Sequence, residues 1–221
     1  VKELEGVSWV TRVPASVSEV KTLYQTVSPE QMGSIGDGDL ATKARLHYPQ
    51  GIALDIAGNL FIADNQLLIT EREGHISLLD TRAPKPVRLQ GAPAVLAEGQ
   101  GGMLDVAVPP DFTPGDWIYF TFVRNKNGDG VTVLARARLS GHKLVQWQDL
   151  LETRSATDTG YHFGSRIAFD ETGHIYFGVG DRGERPNGQD RSNHASCVMR
   201  LKRDGSVPDD NPFIGQTDVL P

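Results

Sequence analysis

Apolar residues along most of this chain fall two apart, the spacing of a strand and not of a helix. In "GIALDIAGNLFIAD" (51–64) Ile52 and Leu54 lie on one side of Gly58, and Leu60 and Ile62 on the other. That pattern is a strand, a turn and a second strand. "RIAFDETGHIYFGVGD" (166–181) repeats it with Ile167, Phe169, Gly173, Ile175 and Phe177. "LDVAVPPDFTPGDWIYFTF" (104–122) is a looser third copy in which a Pro-rich turn replaces the tight one. The copies begin 54 and 61 residues apart (52 to 106, then 106 to 167). This is somewhat more than the ~40 to 50 residues of a propeller blade of four short strands, as inserted loops would make it. "QLLITEREGHISLLD" and "VTVLARARL" supply further strands, whose alternation predicts half-exposed outer strands. The expected fold class is all-β: a β-propeller, partial or composite, built of four-stranded blade-like units. A β-sandwich would explain the alternation but not the repeated hairpin.

The first 32 residues break the pattern. In "ASVSEVKTLYQTVSPEQM" Val17, Val20, Leu23, Tyr24 and Val27 stand at helical spacing between Pro14 and Pro29, with Ser16 or Ser18 as cap. A short amphipathic helix is expected there. The chain then divides at 1–32, 33–65 and 66–221.

Composition narrows the functions. With 38% hydrophobic residues, 24 glycines and 13 prolines, the chain is loop-rich. A net charge of -6 leaves no basic stripe for a phosphate backbone, which excludes nucleic acid as a partner. No run approaches the roughly 20 apolar residues of a membrane span, and "VKELEGVSWVTRV" lacks the apolar centre of a signal peptide. The single cysteine, Cys197, excludes an internal disulfide and reads as a buried structural thiol.

The chemistry-bearing residues cluster at hairpin rims. His162 and Asp181 stand 19 residues apart (162 to 181), and a strand out, a turn at 171–173 and a strand back bring the chain to the same face. On the residues alone this is either a working pair or a histidine capping a strand beside an aspartate starting a turn. Other motifs fail. "NKNGDG" (125–130) imitates a calcium loop, but Arg136 stands where the bidentate Glu should be, so a hairpin turn is expected. His194 and Cys197 have no second pair for zinc, so no metal ligands are assigned. His174 and His142 read as solvated turn residues.

From about Leu67 onward, "LLITEREGHISLLD", "GQGGMLDVAVPPDF", "HFGSRIAFDETGHIYFGVGDRG", "GQDRSNHASCVMRL" and "GSVPDDNPF" stand in order. With these motifs the chain resembles the soluble aldose sugar dehydrogenases of the glucose/sorbosone dehydrogenase family, which use pyrroloquinoline quinone (PQQ). The resemblance implies a six-bladed propeller that binds PQQ and calcium on one face, oxidises the anomeric carbon of a small-molecule sugar, and is periplasmic or secreted. It places the family's base, the His of H-x-G-x-R, at His162 and the group orienting it at Asp181. Gln100 matches a glutamine contacting cofactor or sugar, and Gln189 is a weaker candidate of that kind. Arg166 would offer a fork to a PQQ carboxylate, or form a structural ion pair.

"GSIGDGDLATKARLHYPQGIALDIAGNLFIADN" (33–65) is instead similar to an NHL repeat, another propeller blade. The family continues past "VPDDNPF" with further blades, so the resemblance implies an unclosed ring and doubtful activity for this stretch alone. Open blade edges would let copies of the chain associate. The alternative to a dehydrogenase is a non-catalytic propeller module for binding or scaffolding.

Overall fold

The computed structural model describes residues 49–52, 66–80 and 85–221, with the backbone alone described for 49–52. The helix expected near the N-terminus, and all of the NHL-like segment except 49–52, lie outside the described residues.

The described residues form three antiparallel sheets, each a meander in chain order. The first joins β1 (Pro49–Ile52), β2 (Gln66–Glu71), β3 (His75–Asp80) and β4 (Val87–Arg88). The second joins β5 (Met103–Ala107), β6 (Trp117–Lys126), β7 (Asp129–Ser140) and β8 (Lys143–Glu152). The third joins β9 (Ala168–Phe169), β10 (His174–Gly178) and β11 (Val198–Lys202). The expected all-β fold of blade-like sheets is therefore what the chain adopts.

Turn chemistry sets the registers. Between β6 and β7, Asn127 and Gly128 take φ of 57 and 103, and Lys126 pairs with Asp129. Two left-handed residues make the tight turn whose twist suits a hairpin, so "NKNGDG" is the turn expected of it. Between β9 and β10, Asp170 Oδ1 accepts the N–H groups of Thr172 (2.9 Å) and His174 (2.8 Å), and Gly173 takes φ of 91. His174 is not the solvated turn residue its position suggested. Its ring lies half-buried, with Nδ1 2.9 Å from Asp170 Oδ2 and Nε2 3.2 Å from Arg200 Nη2.

The core lies between sheets. On one face of the second sheet Ile118, Phe120, Phe122 and Val133 pack with Leu68, Ile76 and Leu78 of the first. On its other face Tyr119 and Leu134 pack with Ile175, Phe177, Met199 and Leu201 of the third. "WIYFTFV" is apolar at every position but Thr121 because both of its faces are covered. The same cause overturns the half-exposed outer strands read from "QLLITEREGHISLLD" and "VTVLARARL". β2 and β3 each bury four consecutive residues, and β7 buries six. The free edge of β11 is partly capped from within the chain: Lys202 N donates to Ser206 O (2.8 Å) and Asn211 Nδ2 to Arg200 O (3.2 Å).

Candidate functional site

The segment leading into β9 is held against the second sheet by side chains bonded to alternate residues. Thr132 Oγ1 donates to Phe163 O (2.9 Å) and Thr121 Oγ1 to Ser165 O (3.0 Å), while Ile167 N donates to Asp105 Oδ2 (2.8 Å). All three supporting side chains are buried, so these bonds form away from competing water. The spacing continues the period of a strand beyond the short β9, and it leaves His162 at the sheet rim.

His162 is fixed through every polar group of its backbone. Its N–H donates to Gln100 Oε1 (2.9 Å), and its carbonyl accepts from Gly180 N (3.0 Å). These bonds sustain a φ of 60 at a residue with a full side chain, with Ser165 at 110 and Arg182 at 55 close by. Such left-handed backbone persists only where surrounding contacts over-determine it, and it concentrates at functional sites. Glycines admit the close approach: a Cβ on Gly164 would lie 2.0 Å from Gly178 O, and one on Gly180 2.8 Å from His162 Cβ.

The imidazole Nδ1 lies 2.6 Å from Asp181 Oδ1. The same oxygen accepts Gly183 N–H at 3.0 Å. The bond from His162, and then that from Gly183, hold the Asp181 carboxyl below the usual carboxylate range. An ionised carboxylate only accepts, so in the neutral ring Nδ1 carries the proton and Nε2 the lone pair. The His162 side chain is 51% exposed, which leaves that lone pair open to a ligand. Hairpin geometry and positive φ thus produce an oriented, accessible imidazole.

Of the other residues read from sequence, Gln100 bonds directly to His162. Gln100 is tied by its N–H to Gly160 O (2.6 Å), and its amide oxygen is spent on the His162 backbone. Gln189 is exposed at the end of a 3-10 turn (Arg185–Gln189). Arg166 forms the structural ion pair that was one of its two expected roles. Its Nη1 lies 3.6 Å from Asp105 Oδ1, yet its side chain stays 64% exposed. Burial raises the Asp105 carboxyl, opposed by the Ile167 N–H and by Arg166, and Oδ1 has no hydrogen-bond partner.

Sequence reasoning missed Tyr161 and Arg182. The exposed Tyr161 ring meets the His162 ring edge-on at 4.7 Å. Arg182 looked like part of a surface turn, "GDRG", but is wholly buried, its guanidinium 3.6 Å over the Phe163 ring. A charged residue directly after Asp181 was the available signal.

His194 and Cys197 do not converge on a metal. His194 Nδ1 accepts Arg154 N–H (2.7 Å), and burial pushes its imidazole down to about 4. The Cys197 thiol is raised by burial and by Asp190, and its Sγ lies 3.9 Å from Asn193 O. Among the described residues no group of three or more His, Cys, Asp or Glu side chains could hold a metal ion.

Residues 51–221 match the sequence profile described as glucose/sorbosone dehydrogenase. Over 177 residues the chain is 34% identical to the aldose sugar dehydrogenase YliI of Escherichia coli, covering 78% of this chain and 46% of that protein. A solved glucose dehydrogenase superposes with a TM-score of 0.73 at 31% identity, covering 79% of this chain and 54% of its own. The PQQ-bound aldose sugar dehydrogenase of Streptomyces coelicolor superposes with a TM-score of 0.61 at 28% identity, covering 79% and 50%. The chain thus spans about half the length of these relatives.

Proposed function

The chain belongs to the glucose/sorbosone dehydrogenase family, and from that premise we propose that it serves the oxidation of an aldose at its anomeric carbon, with His162 as base and PQQ as acceptor. The observation that carries this is the 2.6 Å bond between His162 Nδ1 and Asp181 Oδ1 beneath a half-exposed imidazole. A base must be held in one tautomer by a second group, and the bond to Asp181 suits that need.

Two exposed side chains have chemistry that suits PQQ. The exposed Arg166 guanidinium suits a carboxylate of the group, and the exposed Tyr161 ring offers an apolar face beside the imidazole. The chemistry PQQ supplies when bound is acceptance of the hydride from the sugar carbon. Among the described residues no three His, Cys, Asp or Glu side chains converge, and calcium takes six or more oxygen ligands as a rule.

His162 Nε2 takes the proton of the anomeric hydroxyl as the carbon–hydrogen bond breaks. Asp181 keeps the ring in the orientation that exposes Nε2 and stabilises the imidazolium that forms. Gln100, bonded to the His162 backbone N–H, holds the main chain from which the ring projects. A periplasmic or secreted location goes with this reading; among the described residues no helix is long and apolar enough to cross a membrane.

The test is an absorbance titration with PQQ and calcium, followed by dye-linked glucose oxidation. Saturable binding with turnover supports the proposal. Absence of both would leave the chain as a non-catalytic propeller module.

A further inference from the structure

Arg182 is the largest side chain fully buried among the described residues. No carboxylate of the described residues forms an ion pair with it, and Asp129 acts on it only from a distance. Its hydrogen bonds run to backbone carbonyls. Nε donates to Ser155 O (3.3 Å), Nη2 to Thr159 O (2.8 Å) and to Gly130 O (3.1 Å), and Nη1 to Tyr161 O. Its own carbonyl accepts the hydroxyls of Thr159 (2.6 Å) and Thr157 (3.3 Å). Residues 155, 157, 159 and 161 are thus each tied to this one residue.

Burying a cation on neutral acceptors is costly, and an apolar side chain of similar volume would fill the space more cheaply. What the guanidinium supplies and an apolar side chain lacks is a rigid fork of donors that spans several carbonyls at once. Burial lowers its pKa to about 10, which still leaves it cationic at neutral pH. Three of the four carbonyls it gathers belong to the loop that ends at His162, the fourth is that of Gly130 in β7, and Arg182 itself follows Asp181. One side chain therefore joins the two stretches of backbone whose side chains must meet.

We infer that Arg182 is a positioning residue for the base: it locks the 155–161 loop onto the turn bearing Asp181 and so holds His162 Nδ1 in register with Asp181 Oδ1. This rests on the reading of His162 as base. Arg182 touches no reacting atom; it acts through the tautomer and placement of His162.

The test compares the full chain with Arg182→Met and Arg182→Lys, each checked for folding by circular dichroism. Nitrogen-15 imidazole spectra report the His162 tautomer without any cofactor. The expected result is a single Nδ1–H form in the wild type. Arg182→Met should shift to the mixed tautomers of a free histidine, with Arg182→Lys between. With PQQ and sugar, kcat of Arg182→Met should fall roughly tenfold or more while KM changes less than about twofold. If Arg182→Met does not fold, Arg182→Lys decides. A folded variant that loses only thermal stability, with wild-type tautomer and kcat, overturns the inference. If the wild type oxidises no sugar, the dehydrogenase reading fails, and the tautomer spectra still decide the role of Arg182.

Discussion

Gly180→Ala is a small change with a large expected effect on the base. The new Cβ would lie 2.8 Å from His162 Cβ and 2.9 Å from His162 O. Ordinary contact begins near 3.4 Å, so the two backbones must separate by about 0.6 Å. Gly180 cannot simply retreat, since its N–H is bonded to His162 O and its carbonyl to Ser196 N, both at 3.0 Å. The shift therefore falls on His162 and stretches its 2.6 Å bond to Asp181. Overpacking of this kind costs about 1–3 kcal/mol, a fall of roughly 2–12 °C in Tm for a chain of this size. Since a 1 Å misplacement of a reacting group costs on the order of 100-fold, kcat should fall roughly tenfold or more. Gly173→Ala is the control. Gly173 has a φ of 91 but nothing within 4 Å of its missing Cβ, so the substitution costs about 1–2 kcal/mol of backbone strain at the far end of the hairpin. Dye-linked sugar oxidation and thermal melts of both variants give the comparison. Equal loss of stability with unchanged kcat in both would refute the claim that the approach of Gly180 sets the base.

Asp181→Asn keeps the shape of the site but lets the imidazole adopt either tautomer; by analogy with other oriented histidines kcat should drop by about 10³–10⁴-fold with the melt little changed. Phe120→Ala removes a ring that is fully buried between the first and second sheets and stacked 5.1 Å from Trp147. Urea unfolding should show a loss of about 3–5 kcal/mol. His194, lowered to about 4 by burial from an ordinary 6.5, favours the neutral form in the folded chain. Its contribution is therefore full above pH 6.5 and is lost as pH falls toward 4. With its partial exposure allowed for, that loss is about 1–2 kcal/mol. Melts between pH 4 and 7 should show this decline, and His194→Asn, which keeps an acceptor for Arg154 N–H, should flatten it.

Hairpins were legible because strand periodicity and turn residues are local properties. "DETG" and "NKNGDG" carry their own bond acceptors and left-handed positions, and they fold as turns wherever they sit. Exposure was not legible. Whether Leu67 and Leu79 face water depends on what covers the other face of the sheet, and both are buried. His174 looked solvated for the same reason: Arg200, which approaches it, is 26 residues away in sequence. The pairing of His162 with Asp181 could be argued from the return of a hairpin. The clamp of Thr121, Thr132 and Asp105 could not, since each bond joins residues at least 31 apart in sequence. Arg182 was hidden because a turn motif rich in Gly and charge ordinarily marks a surface.

The most direct test of the central claim is the single-turnover rate of sugar oxidation by the wild type and by His162→Ala, both saturated with PQQ. A positioned general base contributes about 10²–10⁴-fold, so the variant should retain PQQ and lose turnover by that factor. Equal rates with equal PQQ occupancy would show that His162 is not the base.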